Sequence, residues 1–378
     1  MIIGPEIGLE PGPEAGRHQT RTRAVPENNG VPGRRPTIRD VAERAGVSKS
    51  LVSLVMRGEP MVREDKRRRV QQAAEELGYR PNFAARSLSA VKSKTVGVLV
   101  ADMRNPLLID VVERAEQFLY GVGLGTLLTS AVSRTLAGPR IDEAAIGALK
   151  DLRVEGILVV GSVPDRAALA EALGDVPVVV AAAQAEGLRA DVVRNDDRLG
   201  MRLVVDHLVA GGHRNIAHLG GLGGGVAEER AAGYLAAMGH HGLDNLSVVA
   251  DADFTEDAGY RGAVQLLHRS ERVTAITAVN DLAAVGALSA AADSGIDVPG
   301  DLALTGYDDT FVAAIRAVSL TSVNPDSSGI GMLAAQSLAD RIGSPDKAYE
   351  EHLLPPRLVT RSSSLAPRAS RRGGTRPR

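Results

Sequence analysis

The sequence predicts a small all-helical domain followed by a larger α/β body. Between residues 37 and 80, apolar residues recur at helical spacing in three short stretches separated by glycine-bearing turns. From residue 96, short β-rich runs such as VGVLV, GILVV and PVVVAA alternate with amphipathic stretches. That alternation is typical of parallel sheets covered by helices. The body has about 265 residues, too many for one ordinary core, so we expect two doubly wound parallel-sheet subdomains.

The helical domain carries start and stop signals in the order of a helix-turn-helix. Thr37 is the predicted N-cap of the first helix, with its hydroxyl accepting a backbone N–H. Gly46 ends that helix, where a left-handed residue is needed. Ser48 is predicted to cap a short second helix, and a third helix is expected over residues 64–77. Two short helices joined by a glycine-containing turn indicate a DNA reader.

The charge distribution favours the same function. Residues 34–94 contain 15 Lys and Arg against 7 Asp and Glu, a net charge of +8, whereas the whole chain carries −2. A basic module on an acidic body is typical of phosphate binding, with an affinity that falls as salt rises. A small helical bundle with solvated charged faces is the alternative that this pattern leaves open.

This chain resembles LacI-type transcription regulators, the lactose and purine repressor-like family. The resemblance covers nearly all of residues 37–361 and rests on the following stretches: TIRDVAERAGVS, ELGYRPN, ARSL, VGVLVADMRNP, RVEGILVVGS, NDDRLG, HLVAGGHRNIAHLGG, ERAAGY and ALTGYDDT. It implies a helix-turn-helix headpiece, a hinge helix and a periplasmic-binding-protein-like body. Two such chains are expected to bind a palindromic operator as a homodimer and to respond to a small-molecule effector.

The resemblance implies that the second helix enters the major groove. The residues expected to face DNA there are Ser48, Lys49, Ser50, Ser53 and Leu54, with the serines at 48 and 53 on phosphate. This chain departs from the family pattern at Leu51, where threonine is usual, and at Leu54, where arginine or histidine is frequent. Since Leu54 can touch only apolar base edges such as the thymine methyl, we expect a different operator from those of relatives.

A hinge helix over residues 81–95 is expected to order in the minor groove. The residues carried over from the family are Asn82, Arg86, Ser87 and Leu88. Leu88 would wedge between base steps and kink the DNA. The alternative is that Leu88 is buried against the body.

The effector is expected between the two subdomains, at the carboxyl ends of strands. The family pattern carries over to Arg230, Phe254, Asn280 and Asp308. An Arg, an Asn and an Asp beside one aromatic ring suit a sugar or polyol. For Arg230 the alternative is an intraprotein salt bridge, and for Asp308 it is a turn-capping role.

The expected boundaries follow from these assignments. We expect a disordered extension over residues 1–36, the headpiece over 37–80, the hinge over 81–95, the body over 96–362 and a basic flexible tail over 363–378. The first subdomain is expected to comprise about 96–194 and 325–350, and the second about 195–322 and 351–362. Crossing strands are placed near Asn195, near 322–325 and near 351–354.

The sequence offers no catalytic motif, so we expect no enzyme, no metal and no cofactor. The glycine-rich run at 220–225 fails the dinucleotide pattern at Val226, and no P-loop, G-x-S-x-G or H-E-x-x-H motif occurs. Without cysteine there is no thiolate nucleophile or cysteine zinc site. Two alternatives stay open, a lone periplasmic-type binding protein and a sugar-related enzyme.

The sequence also shows no signal peptide and no membrane-spanning stretch. The N-terminal residues contain no apolar stretch of signal-peptide type, and no run of 18 apolar residues occurs. We therefore expect no membrane contact and a cytoplasmic protein, associated with the nucleoid through DNA binding. Residues 362–378 lack leucine heptads, so the expected assembly is a dimer and not a tetramer.

Overall fold

The computed structural model describes residues 36–56, 58–80, 93–135 and 138–365. It divides into two compact units, the N-terminal helical headpiece and the body. The predictions for Asn82, Arg86, Ser87 and Leu88, and for residues 1–35 and 366–378, lie outside the described residues.

The headpiece consists of three helices around one small core. They are α1 (Ile38–Ala45), α2 (Lys49–Met56) and α3 (Glu64–Glu76). Their shared core is formed by the buried residues Val41, Ala42, Ala45, Val52, Val55, Val62, Val70, Ala73 and Ala74. The three helices predicted from apolar spacing are therefore present, because each has one face that only its neighbours can bury.

The ends of these helices follow their capping chemistry. Gly46 has the left-handed φ of 64° expected after α1. Thr37 precedes α1 in an extended conformation and forms a capping box with Asp40: the Thr37 side chain accepts from the Asp40 backbone N–H, and the Asp40 carboxylate accepts the Thr37 backbone N–H at 2.7 Å. Arg63 precedes α3 without a side-chain cap.

The first subdomain of the body is a six-stranded parallel sheet in the order β13-β7-β6-β5-β1-β2, in which β13 is Glu351–Leu354. Its elements are β1 (Thr95–Val100), α4 (Pro106–Gly121), β2 (Gly125–Ser130), β3 (Val132–Thr135), β4 (Gly138–Ile141), α5 (Glu143–Asp151), β5 (Ile157–Val160), α6 (Arg166–Leu173), β6 (Val178–Ala181) and β7 (Asp191–Asn195). The strands β3 and β4 form a separate antiparallel pair.

The second subdomain is a second six-stranded sheet in the order β14-β12-β11-β10-β8-β9, in which β14 alone runs antiparallel to its neighbour. Its elements are α7 (Asp197–Ala210), β8 (Ile216–Gly221), α8 (Gly225–His240), β9 (Val248–Ala252), α9 (Glu256–Leu267), β10 (Ala275–Ala278), α10 (Asp281–Asp293), β11 (Ala303–Tyr307), α11 (Phe311–Ala314), β12 (Thr321–Asn324) and β14 (Arg357–Val359).

The chain crosses between the subdomains three times, and one predicted boundary is wrong. After β12, helix α12 (Ser327–Gly343) returns to the first subdomain. Strand β13 (Glu351–Leu354) pairs with β7, with Leu354 opposite Asn195, so residues 351–354 belong to the first sheet and not to the second. The third crossing follows at 355–356, where two prolines separate β13 from β14.

The tail begins later than residue 363. Ser363 and Ser364 are buried in a short 3-10 helix over Ser362–Ser364. The Ser363 hydroxyl donates to the Leu304 carbonyl at 2.7 Å and accepts from the Thr321 N–H at 2.9 Å. Because buried hydroxyls need partners, these bonds hold the segment on the second subdomain.

Candidate functional site

The candidate DNA-reading surface is the start of α2. Ser48, Lys49 and Ser50 are exposed there. The Ser48 hydroxyl accepts the N–H of Leu51 at 3.2 Å, so this serine caps the helix as predicted. An exposed lysine at the start of a second helix is placed to meet a base edge or a phosphate.

The two leucines of α2 have a packing role. Leu51 and Leu54 are both half-buried and pack against the headpiece core. Ser53, between them, is also half-buried. Part of each leucine is therefore committed to the fold, and the remainder of Leu54 offers the groove an apolar surface. The base contacts of these residues stay predictions.

In the body, the structure brings together the residues expected to hold an effector. Asp308 follows β11, Asn280 follows β10, and Arg230 lies in the second turn of α8. The Arg230 Nη1 lies 3.1 Å from the Asp308 Oδ1. The Asn280 Nδ2 donates to the carbonyl of Phe254 at 3.1 Å. Parallel strands end at one edge of their sheet, which is why residues so distant in sequence meet here.

Arg230 is a buried, ion-paired side chain with 3% of its surface exposed. Its Nε donates to Asp197 at 2.8 Å and its Nη1 to the Val279 carbonyl at 2.6 Å. The guanidinium also lies 3.6 Å above the ring centre of Tyr307. The intraprotein salt bridge left open as an alternative is therefore present. Among the described residues its Nη2 has no hydrogen-bond partner.

Burial and the positive charge of Arg230 shift the pKa values in this cluster. Burial raises the pKa of Asp308, and the neighbouring Arg230 opposes that rise. Burial alone would lower the pKa of Arg230, but Asp197 and Asp308 outweigh it and raise the pKa. The arginine therefore stays charged.

Asp281 is a further buried acid beside the cluster. It accepts from the Thr310 N–H at 2.7 Å and from the Ser322 hydroxyl at 2.6 Å. Burial, together with the charge of Asp308, raises the pKa of Asp281 to about 7. Since Asp281 binds both the loop after β11 and the strand β12, it ties the cleft to a crossing segment.

The turn at Asp308 and Asp309 is held by the hydrogen bonds of Asp309. Both aspartates have positive φ, 98° and 47°. Asp309 accepts from Arg361 at 2.7 Å and from Asn324 at 2.8 Å. The Asp308 carboxylate instead points to Arg230, so a turn-capping role does not describe its contacts. Two successive residues in this strained region are typical of a functional loop.

Phe254 lies between the cores of both subdomains. Its side chain packs against the core of the second sheet and against a cluster that joins Val226 of α8 to first-subdomain residues such as Leu99 and Val180. A Cβ placed on Gly223 would lie 2.8 Å from the ring. Phe254 therefore closes one wall of the cleft.

Sequence reasoning missed three members of this site, namely Asp197, Asp281 and Tyr307. All three are buried. Each stands close to a predicted strand end, in NDDRLG, VND and GYDD, but that position alone does not assign a role. Only the packing shows that their side chains meet Arg230 or its neighbours.

Among the described residues, no group of three or more His, Cys, Asp or Glu could hold a metal ion. No described helix is long and apolar enough to cross a membrane.

A helix-turn-helix headpiece followed by a body of two α/β subdomains is typical of a regulator that binds DNA with the first part and a ligand with the second. Residues 37–82 match the family of bacterial regulatory proteins named lacI, and residues 205–364 match the periplasmic binding protein-like domain. The predicted fold class is confirmed. The chain belongs to the LacI family and is a DNA-binding transcriptional regulator, not an enzyme.

The similar proteins align with most of this chain. A transcriptional repressor named PurR from Proteus mirabilis is 32% identical, over 86% of this chain and 96% of the relative. The ribose operon repressor of Haemophilus influenzae is 31% identical, over 86% of this chain and 98% of the relative. A crystal structure of the lac repressor dimer bound to operator and the anti-inducer ONPF is similar with a TM-score of 0.76. It shows 28% identity and covers 88% of this chain and 100% of its own.

Proposed function

We propose that the protein is a repressor that binds a palindromic operator as a homodimer and is controlled by a small, uncharged, hydroxyl-rich effector. The relatives from Proteus mirabilis and Haemophilus influenzae are both named as repressors, and the similar crystal structure is a dimer on its operator. One observation carries the effector site: Arg230 and Asp308 meet at the strand ends with hydrogen-bonding groups to spare.

Those spare groups suit a pair of neighbouring hydroxyls. Arg230 keeps its Nη2 donor, and Asp308 keeps its Oδ2 acceptor, without partners among the described residues. Asn280 uses its carbonyl oxygen to cap α10 at 2.9 Å and one N–H on the Phe254 carbonyl, which leaves one N–H. A donor and an acceptor side by side, with an amide at the end of the neighbouring strand, match the alternating donors and acceptors of a sugar or polyol.

Charge favours a neutral effector over an anion. Arg230 is already balanced by Asp197 at 2.8 Å and Asp308 at 3.1 Å, and Asp281 adds a further buried acid. An arginine shared by two carboxylates has no net positive charge to offer a phosphate. We therefore expect D-ribose to be a better ligand than D-ribose 5-phosphate.

On DNA, the start of α2 supplies the sequence-reading contacts. Lys49 donates to guanine in the major groove, and Leu54 packs on an apolar base edge. In a dimer, the two α2 helices read the two halves of a palindrome. A regulator of this kind acts where the chromosome is, so we place it in the bacterial cytoplasm at the nucleoid.

The effector shifts the equilibrium between two conformations of the protein. Closing the cleft favours one arrangement of the two subdomains, and that arrangement sets the affinity for operator. We propose that the ligand releases the operator. We expect induction because it is more frequent than co-repression among the LacI-type regulators that this chain resembles.

The test is ligand-induced release by matched variants. Arg230→Ala and Asp308→Ala should each weaken D-ribose binding in calorimetry by about a hundredfold, since each loses a charge-assisted bond of about 1.5–3 kcal/mol. Arg272→Ala is the control, because Arg272 pairs with Asp301 at 3.3 Å on the surface of the same subdomain. Unchanged ligand-induced operator release in both cleft variants would contradict the site.

A further inference from the structure

The run KRRR over residues 66–69 lies in the first half of α3 and concentrates four positive charges in the headpiece. A basic run beside a DNA-reading helix is expected to bind phosphate. In the structure, however, its members fall into two pairs. Lys66 and Arg68 are exposed. Arg67 and Arg69 instead donate to backbone carbonyls of the headpiece.

Arg69 binds the chain just before it enters α2. Its Nη2 donates to the carbonyl of Ala45, the last residue of α1, at 2.6 Å. A Cβ placed on Gly46 would lie 2.9 Å from the same nitrogen, so the guanidinium covers the turn between the two helices. The last carbonyls of a helix lack intrahelical partners and carry partial negative charge, which a guanidinium stabilises. Arg69 therefore fixes the end of α1 and the turn that leads into α2.

Arg67 binds the chain just after it leaves α2. There the N–H of Glu59 donates to the carbonyl of Leu54 at 3.1 Å and closes the helix with a turn. The Arg67 Nη2 donates to the carbonyl of Glu59 at 2.6 Å, and the Arg67 side chain is 19% exposed. Arg67 thus fixes the loop after α2, as Arg69 fixes the turn before it.

Helix α2 depends on such anchors because it is short. It has eight residues, of which two, Val52 and Val55, are buried. Helices below about 12–15 residues are marginal by themselves, so neighbouring elements must set the orientation of α2. The two valines anchor the middle of the helix, and the two arginines of α3 anchor its ends.

We propose that Arg67 and Arg69 are positioning residues for operator recognition, which hold the two ends of α2 so that its exposed side chains reach base edges. The inference rests on the proposed function, in which α2 reads the operator. Base contacts are directional hydrogen bonds, whereas attraction to phosphate is long-ranged and independent of sequence. Loss of either arginine should therefore lower the affinity for the specific site more than the affinity for other DNA.

The first arm of the test needs no DNA and measures amide hydrogen exchange of the full chain by mass spectrometry. Arg67→Met and Arg69→Met keep the apolar stem of arginine and remove its donors. In each variant, exchange in α2 and its flanking turns should rise about tenfold, the effect of one lost hydrogen bond, while the rest of α1 and α3 exchange as in the wild type. Arg68→Met is the matched control, because Arg68 is exposed, and it should leave all three helices unchanged.

Two results of this arm would overturn the proposal. Wild-type exchange in α2 would show that the two arginines do not hold it. Equally faster exchange in all three helices would show that they stabilise the whole headpiece and have no particular effect on α2.

The second arm measures DNA affinity by fluorescence anisotropy, with a duplex that the wild-type protein selects from a random library and with poly(dI-dC). Arg67→Met and Arg69→Met should each bind the selected duplex about tenfold more weakly and bind poly(dI-dC) as the wild type does. The slope of log affinity against log salt should not change. A phosphate contact would instead lower that slope by about one on both DNAs, and this result would contradict the positioning role. Arg68→Met should keep the wild-type preference for the selected duplex.

The two arms separate this inference from the proposed function. If the wild-type protein selects no common sequence, the proposed recognition of an operator fails, and hydrogen exchange in α2 decides whether Arg67 and Arg69 hold that helix. If a common sequence is selected and both variants keep their full preference for it, the proposed function stands and the positioning role fails. Faster exchange confined to α2 and its turns, together with a lost preference, supports both.

Discussion

Replacing His218 with leucine should remove one contribution that lowers the stability of the protein as the pH falls below neutrality. His218 lies in β8, is fully buried and stacks on Tyr234 with ring centres 5.4 Å apart. Neither ring nitrogen has a hydrogen-bond partner among the described residues. A buried imidazole without an acceptor cannot hold a charge, and burial lowers the pKa of His218 from 6.5 to about 3.

The magnitude follows from that difference in pKa. In the unfolded chain the histidine takes up a proton below about pH 6.5, whereas in the folded protein it stays neutral down to about pH 3. Stability is therefore lost as the pH falls through this window. At pH 5 the loss is roughly 2 kcal/mol, since one unit of pKa difference corresponds to about 1.4 kcal/mol.

The assay is urea unfolding of the full chain at pH 7.5 and pH 5. The wild-type protein should lose roughly 2 kcal/mol more than His218→Leu between these two pH values. His240→Leu, at an exposed position, should behave as wild type. An equal loss in wild type and His218→Leu would refute the reasoning, because the proton uptake would then reside elsewhere.

Four further outcomes are expected. Thr277→Val should stabilise the protein by about 1 kcal/mol in urea unfolding, since the buried Thr277 hydroxyl has no partner among the described residues. Arg341→Ala should lower the free energy of unfolding by about 3–5 kcal/mol in the same assay. It leaves the carboxylate of Asp191, which lies 2.7 Å from Arg341 and is 4% exposed, buried without its partner. Asp281 has a pKa raised to about 7, so stability falls as pH rises from about 4 to 7, and urea unfolding of Asp281→Asn should lack that fall. Lys49→Ala should reduce the slope of log affinity against log salt by about one in filter binding.

The fold was predictable from the sequence wherever the signal is local. Gly46 needs a left-handed conformation, and the apolar spacing after Thr37 needs a helix, so the headpiece follows from neighbouring residues. Runs such as Val178–Ala181 are apolar throughout because both faces of a parallel strand are covered. These features depend on residues close in the chain.

The errors lie where pairing is non-local. Strand β13 has four residues and alternating burial, and only its pairing with β7, about 160 residues earlier in the chain, assigns it to the first sheet. Ser363 likewise gives no local sign that its hydroxyl will bond Leu304. In the site, Asp308 was predictable from a strand end, and Arg230 from the resemblance to the family. Asp197 was not, because its role depends on how α7 packs beside α8.

The most direct test of the central claim is selection of genomic fragments from the source organism by the purified protein, followed by sequencing. Salt should be fixed at about 150 mM, because the phosphate contribution to affinity depends on it. Recovery of one or a few palindromic sites is expected, each released when an effector fills the cleft. Recovery of bulk DNA without a shared palindrome, or of no DNA, would contradict a sequence-specific regulator.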